Sequence, residues 1–287
     1  MPIFTPMIRL RYYFLAAMAA MALMIASCTG GGDKKDEPAT EDVSADVPAP
    51  SVIPYVIVNV YPHDPTAFTE GLEYRDGFIY ESTGHYGTSE LKKTDPVTGK
   101  ILHSVKLEDR YFGEGLTILG NKIYQLTYQE HTGFVYDLAT MKRLRSFTVA
   151  TEEAWGLTND STHLIYGDGT SNLYFLDPET FREVKRIQVH DQYGPVNNVN
   201  ELEHINGFIY ANQWQTDNIL KIDPSTGSVA GIADLRTLRM KLGLPDLRNA
   251  GRDGPEVLNG IAYDAAANRI FITGKYWPHL VEIKLDN

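Results

Sequence analysis

Apolar and polar residues alternate in short bursts along most of this chain, and the bursts recur in register. Each unit opens on a Gly-Leu or similar pair, runs into an apolar stretch ending in Tyr or Phe, bends at Gly or Asn, and enters a second apolar run. Gly71-Leu72 leads to Phe78-Ile79-Tyr80 and 91–95, and Gly115-Leu116 leads to Lys122-Ile123-Tyr124 and 134–137. Gly156-Leu157 leads to Leu164-Ile165-Tyr166 and 173–177, and Glu201-Leu202 to Phe208-Ile209-Tyr210 and 219–223. A fifth unit, Gly260-Ile261, leads to Arg269-Ile270-Phe271 and 280–285. Short runs of this kind bounded by turn residues predict strands. Successive units start roughly 40 to 45 residues apart, the last one later, which matches a four-stranded propeller blade. A β-sandwich has similar strand spacing but needs no recurring register.

The longer last interval contains 233–244, where Leu235, Leu238 and Leu242 share one helical face, so a helical insertion is expected before the fifth unit. The first four units continue into a fourth strand, for example 100–106 and 144–149, whereas the fifth has no such continuation. An open ring would leave unpaired strand edges, and a strand from the other terminus can close it. The β-branched run from Tyr55 to Tyr61 suits that place. The pattern therefore predicts an all-β fold, a five-bladed β-propeller whose ring is closed by the N-terminal strand.

Ahead of the repeats, Arg9 and Arg11 precede an uncharged run over 12–26 that ends in Ile25-Ala26-Ser27-Cys28. A membrane span needs about 20 apolar residues, so the run is read as an export signal. Its ending resembles a bacterial lipobox, with cleavage before Cys28 and acylation of that thiol. This accounts for a single Cys in a chain bound for an oxidising compartment. An ordinary secretory signal or an uncleaved anchor is the alternative. Residues 29–51 are polar, acidic and Pro-rich, too poor in apolar surface to offset ordering entropy. The expected organisation is a lipoprotein signal peptide over 1–27, a lipidated Cys28 with flexible linker over 28–51, and the propeller over 52–287. The expected location is the bacterial cell envelope, on the periplasmic or outer-membrane side, with the lipid as the membrane attachment.

Composition narrows the chemistry. Aromatic residues make up 11% of the chain, with 17 Tyr, and the 24 Gly fit a turn-rich β protein. A formal net charge of -11 repels nucleic acid and anionic lipid, so neither is an expected partner. No His pair has zinc-site spacing, no Asp-rich calcium loop occurs, and there is no Gly-x-Ser-x-Gly elbow. No metal site is expected, and Glu81-Ser82-Thr83 is taken as a bend. Propellers bind ligands where inner strands converge on the axis. The positions just before the leading pairs, Glu70, Glu114, Trp155 and Asn200, form a candidate ring there.

Several segments carry a resemblance. These are 62–72 (PHDPTAFTEGL), 81–87 (ESTGHYG), 111–117 (YFGEGLT), 200–203 (NELE), 211–217 (ANQWQTD), 259–262 (NGIA) and 273–278 (TGKYWP). In this order they resemble the signatures of the plant-type glutaminyl-peptide cyclotransferase family, over roughly Ile53 to Leu285. The resemblance implies that family's five-bladed propeller. It also implies its reaction, in which an N-terminal glutamine closes to pyroglutamate with loss of ammonia and no required cofactor. By position, Glu114 is implied as base and then acid, and Asn200 and Lys275 as groups that polarise the carbonyl. Phe68, Trp155 and Trp214 are implied as the aromatic wall. Two substrate-binding positions depart from the family pattern: Glu70 stands where Gln is usual, and Tyr128 where Trp is often found. The implied partners are N-terminal Gln peptides or exported proteins, and a closed propeller is expected to act as a monomer. The rival readings are a non-catalytic binding module and a metal-dependent propeller hydrolase or lactonase.

Overall fold

The computed structural model describes residues 47–245 and 256–286. The expected signal peptide, Cys28 and most of the linker lie outside the described residues.

Five four-stranded antiparallel blades follow the repeats. Blade 1 comprises Thr69–Arg75, Phe78–Thr83, Glu90–Thr94 and Ile101–Lys106. Blade 2 comprises Gly113–Leu119, Lys122–Thr127, Thr132–Asp137 and Arg143–Thr148. Blade 3 comprises Leu157–Asn159, Leu164–Gly167, Asn172–Leu176 and Glu183–Gln188, and blade 4 comprises Val199–Ile205, Phe208–Gln213, Asn218–Ile222 and Val229–Asp234. Blade 5 takes Leu258–Asp264, Arg269–Gly274 and His279–Leu285 from the C-terminal part of the chain. Its outermost strand is Tyr55–Pro62, antiparallel to His279–Leu285 with Tyr55 opposite Leu285, so the N-terminal strand closes the ring as expected. Ahead of it, Ser51–Val52 runs parallel to Val229–Asp234 and extends blade 4.

The first strand of each blade is innermost, and these inner strands pack against one another around the axis. That crowding explains the leading glycines. A Cβ on Gly115 would lie 2.4 Å from the Leu157 nitrogen, and one on Gly156 would lie 2.0 Å from the Asn200 carbonyl oxygen. Blade 4 has Glu201 in place of Gly, and its side chain reaches across the axis. One carboxylate oxygen accepts the Leu72 N–H at 3.0 Å and the other accepts the Ile261 N–H at 2.8 Å, joining blades 1, 4 and 5. The apolar residues of the repeats fill the spaces between neighbouring blades in five clusters.

Two expectations change. The helix predicted over 233–244 is only Arg236–Lys241, because Ala233 and Asp234 complete the outer strand of blade 4, pairing with Ile219 and Asn218. Leu235 and Leu238 are buried as the helical face predicts, while Leu242 is the half-buried C-cap. Glu81-Ser82-Thr83 is no bend. It ends the strand Phe78–Thr83 and is buried, with Glu81 accepting from the Thr69 hydroxyl at 2.7 Å.

Candidate active site

The inner strands do not enter the ring straight. Pairing with the second strand slips between Thr69 and Gly71, between Gly113 and Leu116, between Val199 and Leu202, and between Leu258 and Ile261. Such bulges leave residues unpaired and re-aim their side chains. The displaced residues include Glu70, Glu114, Asn200 and Asn259, so four blades present a polar side chain at the same level of the axis. In blade 3 the inner strand starts only at Leu157, and Trp155 precedes it.

Of these, Glu70, Glu114, Trp155 and Asn200 meet in a cavity of about 200 Å³ whose other lining residues are Phe68, Phe112, Tyr128, Trp214 and Lys275, while Asn259 lies behind Glu70. The structure thus brings together every candidate catalytic and substrate-binding residue named from the sequence. Phe112 and Asn259 were not singled out. Phe112 was visible as the aromatic two residues before Glu114, and Asn259 as the residue before the fifth leading pair. A larger cavity of about 500 Å³ opens at the other end of the inner strands and includes Glu73 and Glu203. There the carboxylates accept from the Thr117 hydroxyl and the Tyr263 N–H, and the lining has two tyrosines, Tyr74 and Tyr263, but no Trp or Phe. The smaller cavity is the better candidate, because it combines aromatic walls with buried polar atoms that have no partner.

Glu114 is 5% exposed, and its Oε2 has no hydrogen-bond partner. Burial holds its carboxyl well above the usual range, Glu70 adds to the rise, and Lys275 opposes it. The Asn200 side-chain oxygen is likewise buried without a partner. Lys275 follows the second strand of blade 5, and its Nζ donates to Glu70 Oε1 at 2.6 Å, with both side chains buried. The same Nζ stands 4.2 Å from the Phe68 ring centroid. Asn259 Nδ2 donates to Glu70 Oε2 at 3.2 Å and to the Thr69 carbonyl at 2.9 Å. Burial raises the Glu70 carboxyl against the pull of Lys275. The 2.6 Å contact nonetheless makes Glu70 and Lys275 a buried, directly bonded pair. Lys275 is therefore not a free cation here: Glu70, the residue that departs from the family pattern, already engages it.

The walls pack against one another. Trp155 meets Trp214 edge to face at a centroid distance of 5.5 Å, and Phe112 packs against both Phe68 and Tyr128. Gly169 leaves room for the Trp155 indole, which would lie 2.6 Å from a Cβ there. The loops carrying Trp214 and Lys275 turn sharply, with Gln215 at φ 63° and Tyr276 at φ 59°. Left-handed backbone at such residues is uncommon and clusters at functional sites. The Tyr276 N–H donates to the Ala67 carbonyl at 2.7 Å and holds the Lys275 loop against blade 1. Among the described residues, no three His, Cys, Asp or Glu side chains are arranged to hold a metal ion.

Fold and site define a class: a five-bladed propeller with an acid, an amide and a lysine gathered in an aromatic pocket at one mouth of its axis. A model of the glutamine cyclotransferase family matches residues 23–285, and the chain belongs to that family. Over 230 residues it is 42% identical to the glutaminyl-peptide cyclotransferase of Arabidopsis thaliana, covering 80% of this chain and 70% of the relative. Its structure is similar to the crystal structure of Myxococcus xanthus glutaminyl cyclase, with a TM-score of 0.75 and 36% sequence identity. That match covers 83% of this chain and 98% of the Myxococcus chain.

Proposed function

We propose that this protein is a glutaminyl-peptide cyclotransferase that closes the N-terminal glutamine of peptides and exported proteins into pyroglutamate. Family membership and the likeness to the Arabidopsis and Myxococcus proteins support the reaction. The observation that carries the mechanism is the buried Glu114 carboxyl with an unpartnered oxygen in the pocket.

The reaction joins two groups of one residue. The α-amine attacks the side-chain carboxamide carbon, a C–N bond forms, and the amine proton passes to the Glu114 carboxylate. The tetrahedral intermediate then collapses, the original C–N bond breaks, and Glu114 returns the proton to the departing nitrogen, which leaves as ammonia. One group serving as base and then acid works best with a pKa near the operating pH. The raised Glu114 carboxyl and an α-amine of pKa about 7.7 to 8.0 are suited to each other. The Asn200 amide and the ammonium of Lys275 polarise the carbonyl and stabilise its developing charge, with Glu70 fixing where the ammonium sits. Phe68, Phe112, Tyr128, Trp155 and Trp214 exclude water and hold the short side chain in a folded-back shape.

Nucleophile, electrophile and leaving group all belong to the substrate, so the proposed reaction needs proton transfer and charge stabilisation and no cofactor. All five blades of one chain supply pocket residues, which supports action as a monomer. We also propose export and lipid attachment at Cys28, with the propeller in the bacterial envelope on the periplasmic or outer-membrane side. The charge-free run over 12–26 that ends at Cys28 supports this.

The test is ammonia release from a Gln-initiated peptide, with and without chelator, together with loss of one ammonia mass from the peptide. Chelator-resistant release is expected, and Glu114→Gln should lower kcat by about 10²- to 10⁴-fold. A fully active Glu114→Gln enzyme overturns the mechanism, and chelator-sensitive ester cleavage favours the hydrolase reading.

A further inference from the structure

Two of the aromatic walls are tied together from outside the cavity. Glu153 lies between the outer strand of blade 2 and the inner strand of blade 3, and it does not line the pocket. Its Oε1 accepts from the Tyr128 hydroxyl at 2.7 Å and from Gln129 Nε2 at 3.0 Å. Its Oε2 accepts from Trp155 Nε1 at 3.0 Å. The backbone reinforces the link, since the Ala154 N–H donates to the Tyr128 carbonyl at 2.9 Å. Tyr128 packs against Phe112, and Trp155 against Trp214 and the backbone of Gly169. Such contacts hold the ring planes, and a directional bond at the polar tip of each ring sets its rotation within that plane.

We propose that Glu153 is a positioning residue of this site: one carboxylate clamps Tyr128 and Trp155, walls contributed by two different blades, in the orientation that receives the substrate terminus. The proposal rests on reading the pocket as the cyclising site. It also explains the departure at position 128. A tyrosine there carries a hydroxyl that reaches Glu153, and burial together with this bond keeps the phenol protonated and able to donate. Glu153 has a second, electrostatic effect. Glu114 faces Glu70 and Lys275 across the cavity and senses Glu153 and Glu130 beyond it, with Tyr86 and Tyr128 nearby. The charges of Glu153 and Glu130 both push the Glu114 carboxyl upward.

The clamp and the charge separate experimentally. Glu153→Gln removes the negative charge and turns both charge-assisted ring bonds into weaker neutral ones, whereas Tyr128→Phe removes one bond and no charge. For Gln-initiated peptide, each variant should raise KM about three- to tenfold, the effect of one or two hydrogen bonds. The acidic limb of kcat/KM, which reports the free enzyme's base, should move to lower pH by roughly 0.3 unit or more in Glu153→Gln and stay in place in Tyr128→Phe. The double variant should lose less than the product of the single losses, because both changes weaken the same Tyr128–Glu153 bond. An unmoved limb and KM in Glu153→Gln, or fully multiplicative losses, overturn the proposal. Binding of a pyroglutamyl peptide, followed by quenching of tryptophan fluorescence, reads the walls without turnover. Weakening by about threefold or more in both variants supports the clamp, and unchanged binding refutes it. Absence of turnover in the unaltered protein counts against the cyclase reading alone, and the binding measurement still decides the clamp. Should Glu153→Gln fail to fold, Tyr128→Phe decides by the same KM and binding criteria.

Discussion

Glu201→Ala is the substitution that most directly tests how the ring is held at its centre. The side chain is fully buried, and its two oxygens accept the N–H groups of Leu72 and Ile261 at 3.0 and 2.8 Å. Truncation leaves both amides buried among inner strands. An orphaned buried donor costs about 1 to 3 kcal/mol, so the pair accounts for about 2 to 6 kcal/mol. Relief of the desolvated carboxyl, which burial holds well above its usual range, offsets part of this, while the vacated volume adds to the loss. The expected net loss is about 3 kcal/mol, a large share of the 5 to 15 kcal/mol typical of a folded domain. Glu201→Gln keeps one acceptor and sets an amide N–H against the other donor, so it should fall between the two. Denaturant unfolding followed by tryptophan fluorescence gives the free energies from midpoint and slope. A loss below about 1 kcal/mol in Glu201→Ala would show that water or backbone movement satisfies these amides, and would refute the bridging role.

Two further predictions concern pH and closure. Burial lifts the Glu73 carboxyl to about 7 and holds Glu203 well above the carboxylate range. The folded state therefore keeps protons that the unfolded chain releases above about pH 4.5, and stability falls as pH rises through the folded pKa. For Glu73 alone this amounts to about 3 kcal/mol across that window. The melting temperature should fall between pH 5 and 8, less steeply in Glu73→Gln; a flat or rising profile contradicts the assignment. His63, just past the closing strand, bonds Glu81 at 3.1 Å and the Trp277 carbonyl at 2.7 Å, and Glu81 raises its pKa against burial. That contribution is fully present below about pH 6.5 and is lost as pH rises through the folded pKa. His63→Ala leaves Glu81 buried beside a void and should cost about 3 to 5 kcal/mol at pH 6, with a smaller penalty at pH 9. Equal penalties at the two pH values would show that His63 acts by packing alone.

Much of the fold was legible because a propeller repeats its constraints. Each blade must bring its inner strand close to the next, so Gly-Leu pairs recur with the period of a blade. The missing fourth strand of the fifth unit called for the run from Tyr55 to Tyr61, and Tyr55–Pro62 takes that place, because an unpaired edge cannot be left at the seam. Local pattern misled where pairing partners lie far away. The helix expected over 233–244 gives up Ala233 and Asp234, which precede the helical face of Leu235, Leu238 and Leu242 but pair with Ile219 and Asn218. Glu81-Ser82-Thr83 has turn-forming composition, but its neighbours in space are buried strands, and hydrogen bonds replace the water that composition leads one to expect.

The repeat, the ring closure and the register of the residues before each leading pair are legible along the chain, since these follow from periodicity and from where Cβ atoms fit. Tertiary structure decided what those residues do to one another. The bulges that turn Glu70, Glu114 and Asn200 toward the pocket follow from strand pairing and have no sequence signature of their own. The Glu70–Lys275 bond joins residues at opposite ends of the domain, and the Glu153 clamp joins two blades. Charge, burial and hydrogen bonding act over a few ångströms of space, and no spacing along the chain encodes which side chains will share that distance once the ring has closed.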